Sequence, residues 1–339
     1  MKDLRFICIQ PCDTYYTWQV HAWIESLKNL GYSEKATVIV FTPGFRQRNT
    51  KWDEIEALYP EVEFVFYRDD RNDVTNKLGV YIPILRPWCL TKYFADRPEM
   101  KYKAIFYCDS DVLFTKTLDI EKFINDDICY LSDTNSYINA SYFDSKERDV
   151  LPEKLEEYKK IDVLNEAASI VGINREICEK NNLHSGGAQY LLKNIDAAFW
   201  AKVYNDCLLI NRYLGNINKT YFPNENKGIQ KWCSDMWAVL WVLWYRNQET
   251  KVVKELDFAW ATDPLSKLER VSIFHNAGIV SDTANGYPAF YKGKYHTGQN
   301  PFKDPHLQVV LENEESKKYC THFYLTHLMK IKDKYKLDY

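Results

Sequence analysis

AIFYCDSDVLF, residues 104–114, sets two aspartates one residue apart inside an otherwise apolar run. The run reads as a buried β-strand. Two carboxylates at the end of such a strand repel each other, and burying either is costly without a compensating cation. A hard divalent ion meets that need, because Mg²⁺ or Mn²⁺ takes oxygen ligands and keeps positions for substrate phosphates. Asp-x-Asp alone is a weak signal, since ordinary composition yields about one by chance in such a chain. Aspartate also caps helices and opens turns. The surrounding sequence has to decide.

Working outward, strands and helices alternate. LRFICIQ (4–10) is a strand, and TYYTWQVHAWIESLKNLGY (14–32) has helical apolar spacing with Gly31 placed as its stop. ATVIVFTP (36–43) and VEFVFYRDD (62–70) are further strands, KAIFYCDSDVLF is the fourth, and the stretch between the last two is helical after Pro87. The alternation predicts an α/β fold with a mostly parallel sheet flanked by helices. Ligands bind at the carboxyl ends of strands in such sheets. A polar cluster follows each strand: PCDTYY (11–16), PGFR (43–46), RDDRND (68–73) and DSD (109–111). Residues 141–182 are charged and read as a helical, solvent-facing insertion. LHSGGAQYLLKN (183–194) is a turn and a strand, and NDCLLINRYL and KWCSDMWAVLWVLWYR are helices. VSIFHNAGI (271–279) is a strand running into a polar turn, and the end of the chain is a helix with a basic finish, KIKDKYK, read as a solvated tail. Trp232, Trp237, Trp241 and Trp244 recur at helical spacing and read as core, with Trp232 the one candidate for stacking on a sugar.

The formal net charge of -3 argues against a general nucleic-acid binder, which carries a basic excess. Nine scattered cysteines without a CxxC read as reduced, buried thiols of a cytoplasmic protein. The start, MKDLRFICIQPCD, suits a first strand rather than a leader peptide. The longest apolar run, MWAVLWVLWY, falls short of the roughly 20 residues that cross a bilayer.

The strand ending YCDSDVLF resembles the metal-binding Asp-x-Asp strand of GT-A-fold glycosyltransferases, and within them the glycogenin-like and bacterial galactosyltransferase-like group. Four more stretches agree in order: CDTYYTWQVHAWIESL with the first loop and helix, RPWCLTKYF with the helix carrying a donor-contacting arginine, LHSGGAQYLLKN with the Asn-Ser/Ala-Gly strand, and IFHNAGI with the His-x-x-Gly turn. The resemblance implies a GT-A-like, Rossmann-type mixed sheet and a hexose transfer from a nucleotide sugar, a UDP-sugar first, to a hydroxyl acceptor. It implies Mn²⁺ or Mg²⁺ held by Asp109, Asp111 and His275, with Asp111 a direct ligand and Asp109 also on the donor ribose. Ser110 lies in the same donor turn. Tyr15 or Tyr16 would stack on the base, Arg86 would meet the diphosphate or Asp109, and Gly186, Gly187 and Gly278 would admit the donor closely. The group's Asn is His184 here, its Asp-Gln-Asp is Cys233-Ser234-Asp235, and its diphosphate lysine is replaced by Ser281. Lys292 or Lys294 would supply that contact instead. Asp235 would bind sugar hydroxyls or act as a base; a base on the acceptor gives inversion, whereas the group's chemistry gives retention, which is the expectation.

The sequence is read as one catalytic domain over 1–305, with a nucleotide-binding half (1–115), the helical insertion (141–182) and a sugar and acceptor half (183–305), followed by a helical tail (306–339). The acceptor is a glycan, lipid, protein, small molecule or hydroxylated DNA base. Two other readings compete. A sugar nucleotidyltransferase would carry a Gly-x-Gly-x-Arg loop after the first strand, and PCDTYY is not that. A silent sugar-nucleotide or glycan-binding protein would not need Asp109, Asp111 and His275 together.

Overall fold

Across residues 2–44, 47–71 and 81–337, which the computed structural model describes, the run 104–114 is two strands rather than one. The strands in chain order are β1 (Leu4–Pro11), β2 (Ala36–Thr42), β3 (Glu63–Arg68), β4 (Ala104–Tyr107), β5 (Val112–Phe114), β6 (Cys129–Leu131), β7 (Tyr190–Leu192), β8 (Thr250–Val252), β9 (Phe258–Trp260) and β10 (Ile273–His275), followed by the short antiparallel pair β11 (Thr283–Ala284) and β12 (Tyr287–Pro288). Among the described residues a seven-stranded, mostly parallel sheet runs in the order β3-β2-β1-β4-β7-β6-β8, and β5-β10-β9 form a second sheet. The fold is therefore mixed α/β, as the alternation predicts. The expected fourth strand is broken at its aspartates because residues 108–111 turn, and β5 then pairs with β10.

The chain divides into two compact units. One comprises Arg5–Asp70, Tyr107–Lys122 and Glu255–Tyr339. In it β1, β2 and β3 pair in parallel, with Ile9 opposite Ile39 and Ile39 opposite Val65. β1 and β2 are buried along nearly their whole length, as expected of strands covered on both faces. The helix Thr14–Lys28 follows β1 and buries Trp18, Trp23 and Ile24. It ends where Gly31 turns to a φ of 75°, which lets the Tyr32 amide reach the Leu27 carbonyl at 2.9 Å. The C-terminal helix Cys320–Tyr335 packs Tyr324, Leu325 and Leu328 into the same core. Its basic finish is not simply solvated: Lys334 reaches buried Glu25 at 2.6 Å, and Tyr335 donates to the same carboxylate. A basic run has charges in excess, and one of them has found a carboxylate that burial would otherwise make costly.

The other unit comprises Met1–Leu4, Arg71–Phe106 and Phe123–Lys254. Its centre is three packed helices, Leu85–Asp96, Ala197–Tyr221 and Ser234–Tyr245. The first begins two residues before Pro87, not after it. A proline within the first helical turn lacks an N–H that would be unpaired there anyway. The second is capped by Asp196, whose side chain accepts from the Phe199 amide at 2.8 Å. The third buries Trp237, Trp241 and Trp244, with the first two rings stacked at 6.2 Å. Trp232 departs from that stripe and is 58% exposed. Residues 141–182 turn their charges outward, but they also bury Phe143, Leu164, Ala167, Ala168 and Val171, so the segment is part of the packing. All nine cysteines are buried and free. No helix among the described residues is long and apolar enough to cross a membrane.

Candidate active site

The site is assembled by strand register. β10 pairs antiparallel with β5, and His275 falls opposite Val112, beside Asp111. The Asn276 amide donates to the Asp111 carbonyl at 3.0 Å and fixes the exit of β10 against the aspartate turn. His275 Nε2 then lies 3.6 Å from Asp111 Oδ1 and 3.8 Å from Asp109 Oδ2. One ligand atom from each of Asp109, Asp111 and His275 lies within 4.8 Å of the others. Parallel pairing with β9 places Trp260 opposite His275, with the two rings stacked at 5.5 Å. Phe258 flanks the imidazole at 5.7 Å. The histidine is thus held in place by two aromatic neighbours that the sequence reading missed. The signal for them was the alternation in FAW, where two aromatics share a face.

Asp111 is 4% exposed. Burial pushes its carboxyl up, but the Lys292 ammonium and His275 outweigh that and hold it below the usual carboxylate range. Lys292 Nζ donates to Asp111 Oδ2. Asp109 is the more open of the pair, with 32% of its side chain exposed. Ser110 is buried between them. Two carboxylate oxygens and an imidazole nitrogen at this separation are a donor set able to hold a divalent cation, and the carboxylates suit Mn²⁺ or Mg²⁺.

Tyr15, in the first turn of the helix after β1, packs edge-on against Tyr16 at 4.8 Å and Trp18 at 5.7 Å. Burial, and then the charge of Asp111, pushes its phenol up. Gly278 adopts a φ of 90°, a left-handed conformation that glycine takes without strain, three residues after His275. Lys294 bonds to Asp304 at 2.7 Å and Asp282 at 3.1 Å. The structure therefore places Tyr15, Tyr16, Asp109, Ser110, Asp111, His275, Gly278, Lys292 and Lys294 in one unit.

Arg86, Gly186, Gly187 and Asp235 belong to the other unit. Arg86 lies 3.2 Å from Asp235 Oδ2, so this carboxylate is one anionic partner of the guanidinium. Asp235 is 8% exposed and stands in the first turn of its helix. The Tyr81 hydroxyl lies 3.1 Å from Asp235 Oδ1, 2.8 Å from the Trp232 carbonyl, and accepts from the Asp235 amide at 3.0 Å. Tyr81 is the second omission of the sequence reading; its only signal was a tyrosine five residues ahead of Arg86. Gly186 and Gly187 have packing reasons. A Cβ on Gly186 would meet the Ser132 carbonyl oxygen at 2.4 Å, and one on Gly187 would meet the Tyr190 hydroxyl at 2.5 Å. Backbone yields less readily than a side-chain tip. Gly186→Ala is therefore expected to destabilise the protein by about 1–3 kcal/mol and Gly187→Ala by less. Denaturant unfolding of the two variants checks the order, and a reversed order would contradict it.

The fold and the cluster together define a class: α/β proteins whose central strand ends in paired carboxylates that an imidazole completes as a cation-sized site. No family model matches the chain, and no curated protein does. Among solved structures, it is similar to the apo WbbM bifunctional glycosyltransferase at 11% identity, over 82% of this chain and 46% of that one, with a TM-score of 0.45. It is similar to galactosyltransferase LgtC in complex with donor and acceptor sugar analogs at 11% identity, over 97% and 95%, with a TM-score of 0.41. Apo mouse xyloside xylosyltransferase 1 is similar at 11% identity, over 81% and 97%, with a TM-score of 0.40. At such identities and scores, the function has to be argued from the site itself.

Proposed function

We propose that the chain is a divalent-metal-dependent glycosyltransferase that moves a hexose from a UDP-sugar to a hydroxyl acceptor with retention of configuration. The observation that carries this reading is the Asp109–Asp111–His275 cluster, with its ligand atoms within 4.8 Å, at the turn where a central strand ends. Held by these residues, Mn²⁺ or Mg²⁺ would supply Lewis-acid neutralisation of the leaving diphosphate. Asp109, the more exposed carboxylate, would also meet the donor ribose. Lys292 is assigned to the diphosphate in preference to Lys294, whose ammonium is engaged by Asp282 and Asp304. The Tyr15–Tyr16 pair takes the base side.

Asp235 is given a binding role toward sugar hydroxyls. Its two carboxylate oxygens are already engaged, one by the Arg86 guanidinium and one by the Tyr81 hydroxyl, which favours a holding role and retention over base-driven inversion. The nine buried free thiols support a reducing, cytoplasmic setting. The acceptor is a hydroxyl compound: a glycan, lipid, protein, small molecule or hydroxylated nucleobase.

The test is a panel of UDP-, GDP-, ADP- and CDP-sugars with Mn²⁺, Mg²⁺ or EDTA, read as nucleotide release by slow donor hydrolysis. Metal-dependent release from a UDP-sugar is the expected result. Silence with every donor and metal, in protein that binds none of them in a thermal shift, would remove the transferase reading. Once an acceptor alcohol is supplied, proton NMR of the glycoside formed reads retention directly.

A further inference from the structure

Asp111 is shared between two cationic demands. Its Oδ1 belongs to the ligand cluster, 3.6 Å from His275 Nε2, while its Oδ2 accepts from Lys292 Nζ. The carboxylate is 4% exposed, whereas 26% of the lysine side chain is exposed. The backbone that carries Lys292 is anchored nearby. Tyr295, on the same short turn Lys292–Tyr295, donates to Asp304 at 2.8 Å, and the Phe290 amide donates to Thr321 Oγ1 at 3.0 Å. The mobile part is thus the lysine's four-carbon stem. Lys294, two residues on, has Asp282 and Asp304 as partners and is not available to exchange with it.

We propose that Lys292 is the site's built-in counter-cation. It neutralises Asp111 when no divalent ion is present, and it makes the binding of metal and of nucleoside diphosphate mutually dependent. This rests on the transferase reading of the same cluster. The reasoning is electrostatic. A divalent ion entering beside Asp111 meets an ammonium on the other oxygen of the same carboxylate, and like charges at that separation repel even under protein-like screening. Metal alone therefore binds weakly. A diphosphate offers Lys292 a second anionic partner, so the ammonium no longer opposes the ion. Each ligand then raises the affinity for the other by the same factor. The lysine converts a site that would hold free metal into one that holds metal together with donor.

The test uses the full chain and calorimetric titration of MnCl₂, first alone and then with saturating UDP. Lys292→Met and Lys292→Gln remove the charge with different side-chain chemistry, and Lys292→Arg keeps it. The expected result is that both neutral variants bind Mn²⁺ alone about tenfold or more tightly than the wild type and the arginine variant do. The increase in Mn²⁺ affinity that UDP produces in the wild type shrinks in the neutral variants. Measurable and equal Mn²⁺ affinities in wild type and neutral variants would overturn the proposal and leave the transferase reading standing. Absence of Mn²⁺ binding in every protein, with or without UDP, would overturn both. Circular dichroism melts of the four proteins show whether a lost signal is lost fold, and a single folded neutral variant suffices for the comparison.

Discussion

Asp111→Asn is expected to lower metal-dependent donor turnover by about a thousandfold or more, which corresponds to roughly 4 kcal/mol of transition-state stabilisation. The same substitution should move stability little. Breaking a fully buried ion pair costs about 3–5 kcal/mol because a charge is stranded. The stranded group here is Lys292, and its side chain is 26% exposed on a flexible stem. It can lift its ammonium into water while its methylenes stay packed, so the stability cost should be nearer 1 kcal/mol. Asparagine retains the shape and one acceptor oxygen, and it removes the charge that a divalent ion needs. The measurements are nucleotide release with Mn²⁺ and a denaturant melt on the same preparation. Turnover within tenfold of wild type would show that Asp111 is not a metal ligand. A large loss of stability alongside lost turnover would show that the carboxylate holds the turn together instead.

The aspartate turn was legible because charge interrupted an apolar run, which a buried strand does not tolerate without cause. The break into β4 and β5 was not legible, since AIFY and VLF are equally apolar and β-prone and nothing local shows that they enter different sheets. His275 could be singled out from a strand ending in His with a glycine three residues on. Its closeness to Asp111 depends on a pairing of strands more than 150 residues apart in sequence, a register that only the fold supplies. Lys292 and Lys294 were equivalent in sequence, being two residues apart on one short turn. The fold separates them by giving Lys294 to Asp282 and Asp304 and Lys292 to Asp111. Tyr81 was invisible for a related reason: its hydroxyl serves Asp235 across a separation of 154 residues. The tryptophan stripe shows where helical periodicity works and where it stops. Trp237, Trp241 and Trp244 lie inside the helix Ser234–Tyr245 and are buried, whereas Trp232 precedes that helix and is exposed.

Acidification should weaken the fold through His21 before it reaches the carboxylates. The imidazole is 1% exposed, with Nδ1 3.2 Å from the Tyr59 hydroxyl and its ring 5.9 Å from that of Tyr335. Burial pushes its pKa down from 6.5 to about 3, against the smaller opposing pull of Glu25. The folded protein thus keeps His21 neutral where the unfolded chain protonates it. The contribution is fully present above about pH 6.5 and is lost as pH falls toward the folded value. Each pH unit in that window removes about 1.4 kcal/mol, so about 2–3 kcal/mol should be gone near pH 4.5. His327, half-buried and also lowered, acts with the same sign, its backbone link to Ala22 and the charge of Glu25 only partly opposing desolvation. Burial raises Glu25, but Lys334 and Tyr335 more than offset it and leave its pKa lowered. Its contribution is therefore present above its ordinary 4.5 and lost only below that. His21→Gln removes one titration and keeps a polar group facing Tyr59. At neutral pH it should be the less stable protein, because the ring no longer fills its place beside Tyr59 and Tyr335. Its stability should then fall more gently with acid, so that the two curves converge toward about pH 4.5. Parallel curves from denaturant melts across that range would mean that His21 is protonated in the folded state. The Tyr59 contact would then be that of an imidazolium donating to the phenol oxygen.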